Sequence, residues 1–147
     1  MTSSELFVSL KVPDNIAITA FHALERMGFS SLKRLERKDY YKFEFSGDKK
    51  NFENKISNVD ILVNANKHMF SFGLEKNDAV DIIIQDIEKN NGLINSLKSL
   101  GMKSIKKAER GTLWRLYVDA QDKKKTAEQI AKSLLMNENY QVMRVLK

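Results

Sequence analysis

The stretch Met27-Gly28-Phe29-Ser30-Ser31-Leu32-Lys33-Arg34-Leu35-Glu36-Arg37 returns 73 residues later as Leu100-Gly101-Met102-Lys103-Ser104-Ile105-Lys106-Lys107-Ala108-Glu109-Arg110. Between Gly28 and Arg37 five of ten positions are identical to their partners, and Leu32/Ile105 and Arg34/Lys107 keep their chemistry. Further along, Tyr41, Phe43 and Phe45 meet Trp114, Leu116 and Val118, and Leu62, Asn64 and Asn66 meet Leu135, Asn137 and Asn139, still 73 apart. A fixed spacing over this length is the mark of a duplicated module, and the expectation is a register without gaps from Gly28 onward. The halves are 1–74 and 75–147, expected to pack as one compact unit.

Each half reads as β-α-β-β-α-β, the split βαβ pattern of ferredoxin-like α+β domains with antiparallel sheets. Leu6, Val8, Leu10 and Val12 alternate with Phe7, Ser9 and Lys11 as in a half-buried strand, and Pro13 stops it. Asp14 or Asn15 caps a helix whose inner face is Ile16, Ala17, Ala20, Phe21, Leu24 and Met27, with His22 outward and Gly28 at its C-terminal end. Residues 31–37 and 40–45 read as two strands joined by a tight turn at Lys38-Asp39, and Tyr41, Phe43 and Phe45 face inward. Asp48 caps a second helix with Phe52, Ile56, Val59 and Val63 inside, residues 67–72 close the sheet, and 73–78 link the halves.

In the second half Val80 and Ile82 to Ile84 predict a central strand buried on both faces. Asn90 or Asn91 caps a helix carrying Ile94, Leu97 and Leu100. Strands at 103–110 and 112–118 pair around Gly111. Asp122 opens a helix with Ala127, Ile130, Ala131, Leu134 and Leu135 inside, and 140–146 form the last strand. Two helices cover one face of a four-stranded sheet, so one face of each half is left to pack elsewhere and the strand edges ask for a covering partner.

The chain has 147 residues, 42% hydrophobic and 30% charged, the balance of a folded globular protein. With no cysteine there is no disulfide, thiolate nucleophile or thiolate metal site. No stretch approaches the roughly 20 apolar residues of a membrane span, and no secretion signal is read at the start, so the expected compartment is the cytoplasm. A formal charge of +6 favours anionic partners. The two histidines, His22 and His68, lack metal or nucleophile neighbours, and Asp81, Asp86 and Glu88 read as solvating charges. No catalytic residue, cofactor site or metal site is expected.

The residues resemble a family, the PurS subunit of phosphoribosylformylglycinamidine synthase. The resemblance is carried by Leu100-Gly101, Ile105, Ala108, Arg110-Gly111 and Leu134-Leu135-Met136-Asn137, and in the first half by Met27-Gly28, Leu32, Leu35, Arg37-Lys38 and Ile61-Leu62-Val63-Asn64. Two departures stand out: Glu36 and Glu109 occupy the place directly after the second apolar strand residue, with the Arg one later, and Thr112 follows the turn glycine in place of Lys. The resemblance implies a non-catalytic subunit of an ATP-dependent amidotransferase complex in purine biosynthesis, bridging its glutaminase and synthetase, with a homo-oligomer possible. It implies Arg37, Lys38, Arg110, Gly111, Asn64 and Asn137 as candidate partner contacts. The family's module is single and dimerises, whereas this chain carries two. Two further readings share the topology: a tandem RNA-recognition module using strand aromatics, and a ligand-sensing regulatory domain. Nucleic acid is the weaker partner and a membrane is not expected.

Overall fold

The computed structural model describes residues 2–88 and 91–146. Its elements are β1 (Thr2–Leu10), α1 (Asn15–Arg26), β2 (Leu32–Phe45), α2 (Lys49–Ile56), β3 (His68–Ser71), β4 (Val80–Asp86), α3 (Gly92–Ser99), β5 (Ile105–Val118), α4 (Lys123–Ile130) and β6 (Gln141–Val145). The architecture is α+β, with antiparallel strand pairs and four helices, compatible with a ferredoxin-like tandem.

The largest departure from the expected hairpins is that β2 runs 14 residues through Lys38 and Asp39 without turning, and β5 runs 14 residues through Gly111. A two-residue hairpin needs left-handed conformations that Lys-Asp does not favour, and one glycine followed by the β-branched Thr112 does not supply a pair of them. Leu35, Tyr41, Phe43 and Phe45 also keep one odd-numbered phase, with Asp39 opposite the core residue Val8.

The chain divides into two compact units, and neither coincides with residues 1–74 or 75–147. The first comprises Met1–Val12, Asp39–Glu75 and Glu88–Gly111; the second comprises Pro13–Lys38, Lys76–Ile87 and Thr112–Lys147. The first unit therefore owns α2 from the first repeat and α3 from the second, together with the last seven residues of β2 and the first seven of β5. Its strands follow the order β3-β1-β2-β5. Thr2 lies opposite Phe45, Leu6 opposite Tyr41 and Val8 opposite Asp39. The helix-covered core is Leu6, Val8, Tyr41, Phe43 and Phe45 against Phe52 and Ile56 of α2 and Leu97 of α3, closed by Met102 and Ile105. Phe45 and Phe52 stack at 3.7 Å between centroids.

The second unit owns α1, α4, the first seven residues of β2, the last seven of β5, β4 and β6, in strand order β2-β5-β4-β6. Its core sets Ile82 and Ile84 of β4 and Trp114, Leu116 and Val118 of β5 against Ala17 and Leu24 of α1 and Ala127 and Ile130 of α4. β4 is central and buried on both faces, as its apolar run predicts.

Helix ends follow the sequence closely. Asp14 accepts from the N–H groups of Ile16 and Ala17, Asp48 from that of Asn51, and Asp122 from that of Lys125. Gly28 and Gly101 take φ of 97° and 100°. Behind them the Phe29 N–H reaches the Leu24 carbonyl at 3.2 Å and the Met102 N–H reaches that of Leu97 at 3.0 Å, the Schellman closure. Asn91 precedes α3 without a side-chain cap bond; Asn90 lies outside the described residues. Ile16, Met27, Leu100 and Leu134, expected inside, are exposed, because the helix stripes centre on Ala17 and Leu24, Leu97, and Ala127 and Ile130.

The spacing of 73 is not gapless. The caps Asp48 and Asp122 are 74 apart, because one more residue stands between β5 and α4 than between β2 and α2. The first copy leaves α2 at Ser57, so Val59 and Val63 are buried from turns and not from the helix. The second continues as a π-turn over Ala131–Leu135, with the Met136 N–H bonded to the Ala131 carbonyl, and by Asn137 the spacing is 73 again.

Candidate functional site

The six candidate contacts fall into two equivalent sets: Arg110, Gly111 and Asn64 in the first unit, Arg37, Lys38 and Asn137 in the second. Arg37 is a bracing residue. Its guanidinium reaches Asp14 Oδ2 at 2.9 Å and Oδ1 at 3.4 Å, and the same carboxylate caps α1, so one acidic group ties β2 to the helix start. Arg110, its counterpart, is exposed and lies over the Tyr41 ring at 5.8 Å from the centroid. Lys38 and Gly111 are half-buried strand residues with no turn around them.

Asn64 and Asn137 make the same set of bonds. Each donates its N–H to the side chain four residues on, to His68 Nδ1 at 2.9 Å and to Gln141 Oε1 at 3.0 Å. Each Oδ1 accepts from the N–H two residues on, of Asn66 and of Asn139. Each carbonyl accepts from the residues three and four on, Lys67 and His68 or Tyr140 and Gln141. Both asparagines therefore shape the turn that delivers the edge strand, and His68 is a turn acceptor.

Sequence reasoning missed the polar groups of the opposite sheet face. Asp81, expected as a solvated charge, is buried: Arg115 Nε donates to its Oδ1 at 2.7 Å and Nη2 to its Oδ2 at 3.3 Å, with the two side chains 4% and 9% exposed. The correction follows from register, since Asp81 lies directly opposite Arg115 on the adjacent strand. In the first unit the matching strand pair is Glu5 and Lys42, and Glu5 instead accepts from the Tyr40 hydroxyl. Phe7 and Tyr40 share that face, outside the helix-packed core, and are nevertheless 4% and 0% exposed. A second network joins Arg34, Glu36, Tyr117 and Asn77. Burial and then the Glu36 carboxylate hold the Tyr117 hydroxyl above its ordinary pKa.

Tyr41, Phe43, Phe45 and Trp114 are all buried, so they present no rings for base stacking. Among the described residues no group of three or more His, Cys, Asp and Glu is placed to hold a metal ion, and no helix is long and apolar enough to cross a membrane. The surface instead shows apolar residues at equivalent places in the two units. Met27 and Leu100, Ile61 and Leu134, and Met69 and Val142 are each 73 apart and all exposed, the last pair at 53% on the outermost strands β3 and β6.

No protein-family model matches the chain, and no curated protein matches it.

Proposed function

We propose that the chain is a non-catalytic assembly subunit resembling PurS, a fused two-module form that bridges the glutaminase and synthetase of phosphoribosylformylglycinamidine synthase. The observation that carries the reading is the composition of the compact units. Each takes one helix and half of a long strand from each repeat, as two copies of a dimerising module would share them, here within one polypeptide. A covalent link replaces association by an intramolecular contact at high effective concentration. The ferredoxin-like description of each unit belongs to the same reading. The exposed apolar pairs on the outermost strands and helix ends suit docking faces, and the charge of +6 suits acidic partner surfaces by steering.

The test is reconstitution. The chain co-purifies with a glutaminase and a synthetase, and omitting it abolishes glutamine-dependent turnover while ammonia-dependent turnover remains. Failure to associate with either enzyme at micromolar concentration, or equal glutamine-dependent rates with and without the chain, rejects the reading.

A further inference from the structure

On the first unit a cleft of about 340 Å³ opens between the turn that follows β2 and the turn that follows α3. That volume lies at the lower end of the range for small-molecule sites, roughly 300–1,000 Å³. Phe52 and Met102, both buried, form its apolar floor. Lys55, Lys103, Ser46 and Ser104 also line it, the two lysines exposed to solvent. The one carboxylate at the cleft, Asp48, is committed as the α2 cap, accepting from the Asn51 N–H at 2.9 Å.

We propose that this cleft binds a phosphorylated small molecule, its phosphate held by Lys55 and Lys103 and its organic part resting on the Phe52 and Met102 floor. Two ammonium groups offset the charge of a phosphate monoester and two serine hydroxyls can donate to its oxygens, contacts that a neutral ligand would not use. The second unit supplies an internal control. With the caps Asp48 and Asp122 aligned, Lys55 corresponds to Gln129, and with Gly28 and Gly101 aligned, Lys103 corresponds to Ser30. The same fold is therefore made with both cations absent, which separates a binding role from a structural one. The proposal stands apart from the assembly reading, since it concerns one cleft on one unit.

The experiment titrates the full-length chain with AMP and, separately, with adenosine at low ionic strength, following backbone amide shifts. The expected result is saturable movement of the amides around Ser46, Lys55 and Lys103 with AMP and none with adenosine. Lys55→Gln with Lys103→Ser weakens AMP binding about ten-fold or more without moving the melting temperature, because two charge-assisted contacts are lost. Lys103→Arg, which keeps the charge, retains binding. Absence of saturable shifts with AMP, equal shifts with adenosine, or unchanged AMP binding in the double variant overturns the proposal.

Discussion

The two units fill similar sets of strands and helices with different interior chemistry. Where the second unit sets Asp81 against Arg115 as a buried ion pair, the first places Glu5 opposite Lys42 but has it accept from the Tyr40 hydroxyl. In the second unit Arg37 is clamped onto the Asp14 carboxylate, and in the first Arg110 lies over the Tyr41 ring. The first unit fills its core with aromatics, Phe45 stacked on Phe52 and Phe43 tilted against it; the second uses aliphatic residues around Trp114. The topology thus asks only for apolar volume on the helix side and for satisfied polar groups on the other. Which polar pair supplies the satisfaction is open.

The comparison breaks most visibly at the buried charges. Arg115→Ala leaves Asp81 uncompensated in the interior and costs about 3–5 kcal/mol in denaturant unfolding, whereas replacing Arg115 and Asp81 together by leucine is near neutral or stabilising. A double variant as unstable as the single one would show that the pair does more than satisfy itself. In the first unit Phe45→Ala removes a large buried ring and its stacking partner's contact, with a loss of about 3–5 kcal/mol. The same measurement on Val118→Ala, at the equivalent place in the second unit, gives a smaller loss because fewer atoms are removed.

Removing the clamp has an intermediate effect. Asp14→Ala deletes both the cap of α1 and the Arg37 partner, and costs about 1–2 kcal/mol in the same assay. An Asp48→Ala loss of equal size would mean that the Arg37 contact adds nothing to the cap. The smallest effect is a pH dependence. Burial, aided by Asp39 and opposed by Arg110, raises the Tyr41 pKa above its ordinary value of 10.0. The folded state then holds that proton more tightly than the unfolded state, so stability is unchanged by this group below pH 10 and falls as pH rises past it. Tyr41→Phe flattens the alkaline limb of the stability curve; an unaltered limb would assign the loss to another group.

Much of this was legible beforehand because the signals are local. Asp14, Asp48 and Asp122 cap helices, Gly28 and Gly101 end them, and Val80 to Ile84 form a central strand, since capping chemistry and apolar runs act over a few residues. The straight course of β2 is not legible in the sequence, because two strands joined by a short turn show nearly the same alternation. The ion pair of Asp81 was hidden for a different reason. It depends on which residue lies across the neighbouring strand, and register is a long-range property. The polar roles of Asn64 and Asn137 were visible as a repeat but not as turn chemistry; the residues four positions on, His68 and Gln141, both offer an acceptor.

The central claim is that each compact unit is completed by elements of both halves of the chain, and nuclear Overhauser contacts from methyl groups test it most directly. The account predicts contacts from Leu97 and Ile105 to the Phe43, Phe45 and Phe52 rings, and from Leu24 and Leu32 to the Trp114 ring. Contacts from Leu24 and Leu32 to the Phe43 and Phe52 rings, with Leu97 against Trp114, would mean that each repeat folds on itself through hairpins, and would contradict it.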